Sequence, residues 1–279
     1  MICLSWNCQG AASTAFRRTL KQLCRDHSPD IVCLFEPKVL GAHANSICIS
    51  FGFENWVRVE VVGFSGGIWI FWKPSVSLEI LRTHPQFISL QVYEQHSPPW
   101  TLSMVYGSPN RLLRKKLFSD LTANSPGTQP SWLVCGDFNS VISREEVNNP
   151  DCFNNARCAD FKEWIFQEGL VDLGFEGTKF TWMRGINSDS FRAARLDRAL
   201  SSVEWRLNFP NAIVNHLPMI NSDHSPLLIS CIPRHEFNGE RKFKFNMAWT
   251  THVDFQRCVK EAWVTDMELK ANIRPSINV

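Results

Sequence analysis

Two short polar segments, each bordered by an apolar run typical of a buried strand, constrain this 279-residue chain more than any other feature. The first, Gly136-Asp137-Phe138-Asn139, follows the run Trp132–Cys135, and the second, Ser222-Asp223-His224, precedes the run Pro226–Ile229. Carboxylates, an amide and an imidazole beside buried strands destabilise a fold unless they are paired or bind a ligand. Ligands of α/β proteins bind at strand ends, so these segments are the first candidates for a functional site.

The order of predicted elements indicates an α/β fold. Residues 2–8 are predicted to form a buried strand, Phe16–Cys24 carries apolar residues at helical spacing, and Ile31–Phe35 is predicted as a second strand. A strand, a helix and a strand, with a polar residue where each strand ends, are typical of α/β proteins.

The middle of the chain predicts mostly antiparallel sheet, followed by helices. Five apolar runs interrupted by glycine and proline positions predict strands joined by hairpins, namely Trp56–Val61, Ile68–Trp72, Ser77–Leu81, Phe87–Val92 and Trp100–Tyr106. Helical spacing predicts helices at Leu112–Leu121 and Ala159–Glu168, the second ending at Gly169 as a C-cap. Short strands are expected at 180–182, 195–197 and 229–232.

Composition narrows the class of protein without identifying a partner. The chain is 44% hydrophobic and 20% charged, which suits a sizeable core, and a net charge of +2 neither requires nor excludes a nucleic acid. Ten scattered cysteines without a Cys-x-x-Cys motif predict reduced, mostly buried thiols rather than a zinc ribbon. The segment Met1–Trp6 lacks the basic start of a signal peptide, and no apolar run is long enough for a membrane span.

The sequence pattern changes after Pro233. Residues 234–246 are rich in charge and are interpreted as a linker, while 255–264 has helical spacing. We therefore predict one catalytic domain over residues 1–233 and a charged linker with a helical tail over 234–279.

Polar residues recur at predicted strand ends in a fixed order, and together they are more informative than any one alone. The chain resembles the endonuclease/exonuclease/phosphatase superfamily, which has the DNase I fold. The resemblance covers about residues 1–233 and is carried by Ser5-Trp6-Asn7, Glu36-Pro37-Lys38, Gly66-Gly67, Val105-Tyr106-Gly107, Gly136-Asp137-Phe138-Asn139, Phe180-Thr181-Trp182, Leu196-Asp197-Arg198 and Ser222-Asp223-His224-Ser225-Pro226. It implies a four-layer α/β sandwich, in which two packed mixed β-sheets are flanked by helices.

Three motifs resemble one branch of this superfamily, the endonuclease domain of plant-type LINE (non-LTR) retrotransposon polyproteins. They are Leu4–Gly10, Val105–Pro109 and Leu196–Leu200. The tail at 243–263 resembles the connector that precedes the reverse transcriptase of those polyproteins. Three features depart from the superfamily pattern: Pro37 stands where threonine is commoner, three residues separate Tyr106 from Asn110 where two are usual, and Ala194 stands near where a serine is often found.

The resemblance implies a Mg²⁺-dependent phosphodiesterase, with Mn²⁺ as an alternative ion. The metal would be held by Glu36, Asn7 and Asp223. The catalytic residues would be Asp137 as the base for water, Asn139 to fix its geometry, His224 as a cation held by Asp197, and Tyr106 at the phosphate or the leaving oxygen. DNA contacts would come from Thr181, Trp182, Arg184 and Asn110, although Trp182 is equally explained as a core residue.

The favoured function is a DNA endonuclease that nicks one strand and leaves a 3′-hydroxyl and a 5′-phosphate. Three alternatives stay open at this point: a repair endonuclease acting at abasic sites or blocked 3′ ends, a phosphatase or phospholipase of the same superfamily, and an inactive retroelement relic. We expect DNA as partner, a monomer, no membrane association and no secretion. A nuclear location follows from the substrate alone, with the cytoplasm as the alternative.

Overall fold

This computed structural model describes residues 1–60, 66–94, 97–125, 131–186, 188, 190–231, 257 and 260. The chain divides into two compact units, Met1–Phe237 and Asn238–Val279. The predicted linker at 234–246 lies outside the described residues, as does the predicted helix at 255–264 apart from residues 257 and 260, which are helical. The domain boundary at residue 233 therefore stays a prediction.

The described residues form fifteen strands, five α-helices and two 3₁₀ turns. The strands are β1 (Ile2–Asn7), β2 (Ile31–Phe35), β3 (Asn55–Val59), β4 (Ile68–Trp72), β5 (Ser77–His84), β6 (Phe87–Glu94), β7 (Ser97–Tyr106), β8 (Trp132–Asp137), β9 (Val171–Asp172), β10 (Glu176–Gly177), β11 (Trp182–Arg184), β12 (Arg192–Ala194), β13 (Asp197–Ser201), β14 (Ile213–His216) and β15 (Leu227–Ser230). The α-helices are α1 (Thr14–His27), α2 (Gly41–Ser50), α3 (Arg111–Ala123), α4 (Asn155–Gln167) and α5 (Val203–Asn208), with 3₁₀ turns at Arg144–Glu146 and Pro150–Cys152.

The strands form two large mixed sheets and one small hairpin. The first sheet has the order β10-β14-β15-β1-β2-β4-β3, and the second has the order β5-β6-β7-β8-β13-β9. The hairpin consists of β11 and β12. Each large sheet contains a central parallel pair, β1 with β2 and β7 with β8, so the carboxyl ends of the paired strands meet at one edge.

A layer of apolar side chains lies between the two sheets. Strand side chains alternate between faces, so Cys33 and Phe35 of β2 belong to this layer while Val32 and Leu34 point to the other face. The second sheet contributes Leu102 and other side chains to the same layer. Both faces of the central strands are buried, which explains why they are continuous apolar runs.

Helices cover the outer face of each sheet. Helix α1 begins at the N-cap Ser13, whose hydroxyl accepts a hydrogen bond from Phe16 N at 3.0 Å, and it packs Phe16 and Leu20 against the first sheet. Helices α3 and α4 pack against the second sheet, where Phe118 stacks on Phe161 with ring centroids 5.3 Å apart. The predicted four-layer sandwich is confirmed. In the described part of the chain, no helix combines the length and the apolar character that crossing a bilayer requires.

The sequence pattern located most elements but missed the weakly amphipathic ones. The predicted antiparallel strands between residues 56 and 106 are confirmed apart from Val61, which lies outside the described residues, and α4 is followed by Gly169 in the left-handed region at φ +61°. Helix α2 was not predicted, because its apolar residues are not concentrated on one face and it begins without a side-chain cap. Helix α5 and strand β14 were also missed. The strand expected at 195–197 begins at Asp197 instead.

The close pairing of β7 with β8 requires a glycine at position 136. Gly136 has φ +141°, and a Cβ there would lie 2.0 Å from Val105 O and 2.8 Å from Phe35 Cζ. Gly136 directly precedes Asp137, so this contact also sets where β8 places that carboxylate. The glycine of the Gly-Asp-Phe-Asn motif is therefore a packing requirement.

Gly136→Ala is expected to lower the free energy of unfolding by about 3 kcal/mol or more, because backbone atoms of β7 must move to admit the new methyl group. Gly169→Ala is the matched control, because Gly169 also has positive φ but a Cβ added there would meet no atom within 4 Å. That control should lose only about 1–2 kcal/mol from backbone strain. Urea unfolding of both variants checks the difference, and equal losses would contradict the packing requirement.

Candidate active site

Four strands deliver polar residues to one edge of the sandwich. Asn7 ends β1, Tyr106 ends β7 and Asp137 ends β8, while Asp197 begins the antiparallel strand β13 directly opposite Asp137. Strands β1 and β8 belong to different sheets and contact each other. Residues far apart in the chain therefore meet where the two sheets approach.

The Asn7 side chain joins the two sheets through its amide group. Its Nδ2 donates to Glu36 Oε1 at 3.2 Å and to Asp137 Oδ2 at 2.9 Å. Tyr106 Oη donates to the same Glu36 oxygen at 2.9 Å. Asn7 and Asp137 are fully buried, so these hydrogen bonds form in a low-dielectric environment where they are strong.

His224 lies between two buried carboxylates. Its Nδ1 is 2.9 Å from Asp197 Oδ2, and its Nε2 is 3.9 Å from Asp137 Oδ2. Burial opposes a charge on the imidazole, but attraction to Asp197 and Asp137 outweighs it and raises the pKa of His224 to about 10. His224 is therefore a cation at neutral pH, with both ring nitrogens acting as donors.

Asp137 has an environment that suits a proton acceptor. Burial and, after it, the nearby negative charge of Asp197 raise the pKa of Asp137 well above the usual value for an aspartate. Asn139 fixes the carboxylate, because its backbone N donates to Asp137 Oδ1 at 2.8 Å and its Nδ2 donates to Oδ2 at 3.1 Å. The Asn139 amide also donates to Gly107 O at 2.8 Å, which ties the turn to the end of β7.

Strained backbone is concentrated around this site. Six non-glycine residues in the described chain have positive φ, and five of them lie in the segments that carry or border the site, namely Gln9, Glu36, Lys38, Asn139 and Asn221. Left-handed backbone is unfavourable for side chains other than glycine and persists only where surrounding contacts enforce it. The strain indicates that these segments are shaped for function.

Two residues of the site, Gln9 and Lys38, were not predicted from the sequence. Gln9 Nε2 donates to Glu36 Oε1 at 3.4 Å, and Lys38 Nζ lies 3.3 Å from Glu36 Oε2 and donates to Gln9 Oε1. Both residues lie within or beside motifs that carried the resemblance. Their types gave no signal, because a glutamine and a lysine near a strand end are usually solvated.

The residues predicted as metal ligands have the donor chemistry of a divalent-cation site. Glu36 offers hard carboxylate oxygens, while Asn7 orients Glu36, because its Nδ2 donates to Glu36 Oε1 at 3.2 Å and its own oxygen accepts from Gln9 N at 3.3 Å. Asp223 accepts from Trp182 Nε1 at 3.1 Å through Oδ2, while its buried Oδ1 has no hydrogen-bond partner among the described residues. An unpaired buried carboxylate oxygen is unfavourable unless a cation or solvent satisfies it, so Asp223 and Glu36 have the oxygen chemistry that a divalent cation needs.

A second group could also hold a metal ion. One atom each from Asp137, Asp197 and His224 lie within 4.8 Å of one another, and all three residues are buried. A metal-binding imidazole must be neutral, whereas the pKa of His224 is raised by its carboxylate neighbours. Metal binding by this group would require His224 to lose a proton, so this group and the oxygen atoms of Glu36 and Asp223 are two candidate sites.

The four predicted DNA contacts have different environments. Thr181 is fully buried, and its Oγ1 accepts hydrogen bonds from Leu196 N at 3.0 Å and Asp197 N at 2.9 Å. This placement contradicts a direct DNA contact and makes Thr181 a support for Asp197. Trp182 is half-buried and bonded to Asp223, as described above.

The other two predicted contacts are exposed. Arg184 lies on β11 in the hairpin beside the site. Asn110 caps α3, because its Oδ1 accepts from Leu112 N at 2.9 Å. The cap explains Asn110 structurally, which leaves Arg184 as the predicted contact whose side chain is exposed and charged.

The chain belongs to the endonuclease/exonuclease/phosphatase family, whose model matches residues 4–224. Membership indicates a hydrolase of the phosphodiesterase and nuclease type. The sequence matches none of the curated proteins with which it was compared.

Several solved structures share the fold. The endonuclease domain of TRAS1, a telomere-specific non-LTR retrotransposon, is 14% identical, and the match covers 84% of this chain and 99% of that domain with a TM-score of 0.61. A 3′-5′ exonuclease from Neisseria meningitidis is 18% identical over 83% of this chain and 99% of its own, with a TM-score of 0.62. An AP endonuclease from Archaeoglobus fulgidus is 15% identical, with coverages of 83% and 99% and a TM-score of 0.62. Identities this low show the fold alone.

Thr181→Val is expected to lower the free energy of unfolding by about 2 kcal/mol or more, because two buried amides lose their acceptor. Thr178→Val is the matched control, because the Thr178 side chain is exposed. Urea unfolding measures both variants. A loss in Thr181→Val no larger than in the control would contradict the supporting role of Thr181.

Proposed function

We propose that this member of the endonuclease/exonuclease/phosphatase family is a Mg²⁺-dependent DNA endonuclease that nicks one strand and leaves a 3′-hydroxyl and a 5′-phosphate. The observation that carries the proposal is the arrangement of Asp137 between Asn7 and His224, with His224 fixed by Asp197. It combines an acceptor for a proton from water with a fixed cation for a phosphate oxygen.

The chemistry begins with the attacking water. Asp137 orients the water and takes its proton as the new bond to phosphorus forms, and the raised pKa of Asp137 suits this role. Asn139 keeps the carboxylate in place through two hydrogen bonds. Because nucleophile and base are held in fixed geometry, little orientational entropy is lost in the reaction.

Charge stabilisation falls to His224 and Tyr106. His224 donates from Nε2 to a non-bridging phosphate oxygen, whose negative charge grows in the transition state. The P–O3′ bond breaks and Tyr106 Oη donates a hydrogen bond to the departing oxygen. A proton from solvent completes the 3′-hydroxyl, and Asp137 returns the proton taken from the attacking water to solvent. Mg²⁺ (or Mn²⁺) held by Glu36 and Asp223, with Asn7 orienting Glu36, would supply further charge neutralisation at the phosphate.

The hairpin of β11 and β12 supports DNA as the substrate. Trp182 of β11 pairs with His224 in an isolated bridge, so the hairpin is attached directly to the site. Arg184 and Arg192 lie opposite each other in its register, and both are exposed. Ile186, which is 60% exposed, lies at the turn between them. Paired cations next to an exposed apolar side chain suit phosphates and base edges of a duplex groove.

A non-LTR retrotransposon origin is part of the proposal. It is supported by the three branch-type motifs and by the shared fold with the TRAS1 endonuclease domain. The fold shared with an AP endonuclease and a 3′-5′ exonuclease makes repair of abasic sites or 3′ ends the second candidate. A monomeric state and a nuclear location are proposed with the substrate.

Plasmid nicking tests this function directly. Supercoiled plasmid should convert to the open circular form in Mg²⁺ and stay supercoiled in EDTA. Cleavage confined to an abasic oligonucleotide would favour repair, and release of phosphate from small esters alone would favour a phosphatase. Folded protein without any metal-dependent cleavage would favour the inactive relic.

Asp137→Asn should lower the nicking rate by about 10²-fold or more, because an amide cannot take the proton from water. His224→Ala should lower it by about 10²-fold or more by removing the cation at the phosphate. Circular dichroism checks that both variants are folded. Asp151→Asn is the control, since the Asp151 side chain is 88% exposed and pairs with Arg144 on the surface. Near-normal rates in Asp137→Asn or His224→Ala would overturn these roles.

The double variant Arg184→Gln, Arg192→Gln should bind duplex DNA more weakly, with a smaller dependence of affinity on salt, because two phosphate contacts are lost. Arg25→Gln is the control. Arg25 is exposed in the last turn of α1, which returns from the site end of β1 to the start of β2, so it lies at the opposite edge of the sheet. Fluorescence anisotropy at several salt concentrations measures the slopes, and equal slopes for the double variant and wild type would exclude the hairpin as a DNA contact.

A further inference from the structure

A cluster of four charged side chains lies beside the site and has no role in the chemistry described above. It contains Arg195, Arg198, Glu146 and Asp172, which we call the ionic cluster. Their side chains are 8%, 0%, 12% and 25% exposed, respectively. Two cations and two carboxylates balance in charge, which is how buried ions are tolerated.

The contacts within the ionic cluster are close and directional. Arg198 donates to both oxygens of Glu146, at 3.0 and 2.7 Å, and Arg195 donates to both oxygens of Asp172, at 2.8 Å each. Each arginine also reaches the other carboxylate, Arg195 to Glu146 at 3.2 Å and Arg198 to Asp172 at 3.1 Å. Burial would raise the pKa of Asp172, but attraction to Arg198 and Arg195 outweighs it and lowers that pKa, so the carboxylate stays ionised.

The ionic cluster encloses the backbone that carries Asp197. Successive strand residues point to opposite faces, so Arg198 lies over Phe161 of α4, 5.3 Å from the ring centroid, while Asp197 bonds His224 in the cleft. Arg195 N donates to Glu146 O at 2.9 Å, and Arg198 Nη2 donates to Arg195 O at 3.0 Å. The Arg198 side chain therefore lies on the face opposite to the Asp197 carboxylate, and these two hydrogen bonds hold the backbone at residue 195.

Glu146 extends the same network to the segment that follows Asp137. Its Oε2 accepts from Ile142 N at 2.6 Å, three residues beyond Asn139. Asp172 brings in β9, which pairs with β13. One set of ion pairs thus connects the chain that positions Asp137 to the chain that positions Asp197.

We propose that the ionic cluster is a positioning network for the Asp197–His224 pair, and that Glu146 and Asp172 are its positioning residues. The proposal rests on the proposed function, because it assigns these residues to the same reaction. A buried ion network adds little net stability compared with apolar side chains of equal volume, but it fixes the orientation of the side chains and backbone that it joins. The Nε atoms of Arg195 and Arg198 are also buried without a hydrogen-bond partner among the described residues. Unpaired buried donors lower the stability of the fold, so the cluster contributes fixed geometry rather than stability.

The test removes one charge at a time while keeping side-chain shape. The variants are Glu146→Gln and Asp172→Asn, with Asp151→Asn as the matched control, because Asp151 pairs with Arg144 at 2.8 Å on the surface. Val92→Ala is a stability control. Val92 is fully buried toward the end of β6 that pairs with Trp100, away from the Phe87 end beside Tyr106.

Two measurements separate positioning from stability. The first is the downfield proton resonance of His224 Nδ1–H, assigned by its absence in His224→Ala, which reports the hydrogen bond to Asp197. The second is the split of nicking kinetics into kcat and KM, measured well below the melting temperature of every variant. A displacement of catalytic groups by about 1 Å is sufficient to lower rates by about a hundredfold.

Glu146→Gln and Asp172→Asn should shift or broaden the His224 resonance and lower kcat about tenfold or more, with KM changed less than about threefold. Asp151→Asn should match wild type, and Val92→Ala should lower the melting temperature without moving the resonance. An unchanged His224 resonance in both folded cluster variants would overturn the proposal.

Failure of both variants to fold would also overturn it, in favour of a purely structural role. Absence of nicking by the wild type would reject the proposed function. The His224 resonance is measured without substrate, so it still decides whether the ionic cluster positions the Asp197–His224 pair.

Discussion

The amide of Asn7 is the interaction on which the site depends, because one nitrogen donates to carboxylates from both sheets. Glu36 follows a strand of the first sheet and Asp137 ends a strand of the second. Two carboxylates that accept from the same nitrogen lie close together, and in a buried environment they repel each other unless a donor lies between them. An asparagine supplies that donor without adding charge, and it leaves its own oxygen directed to Gln9 N at 3.3 Å.

Charge balance explains how the surrounding residues are arranged. Asp137, Asp197 and Glu36 are three buried carboxylates, and His224 is the buried cation beside two of them. The remaining negative charge is only partly countered by Lys38, whose side chain is 43% exposed. A cleft with this imbalance attracts cations, which agrees with the oxygen donors that point to a divalent ion. On the far side of β13, by contrast, the ionic cluster is balanced within itself.

The residues of the site could be predicted from the sequence, whereas most of the residues that support them could not. Asn7, Tyr106 and Asp137 could be placed because strand ends are visible as the limits of apolar runs, and parallel strands end at a common edge. Thr181 was assigned to the surface because a motif gives position along the chain but not the direction of a side chain. Glu146 gave no signal at all, because its role depends on a turn that brings it to arginines some fifty residues away. Helix α2 was missed for the related reason that tertiary packing, rather than local periodicity, stabilises it.

The apolar layer between the sheets has a consequence for how such a protein can diverge. Half of the site is attached to one sheet and half to the other, so the thickness of this layer sets the separation between Glu36 and Asp137. A methylene gained or lost deep in that layer would move the two halves relative to each other with no polar atom altered. Natural selection for catalytic turnover would therefore also act on interior positions that are remote from any reacting group. Substitutions that enlarge one side chain of the layer should be accompanied there by substitutions that make a neighbouring side chain smaller.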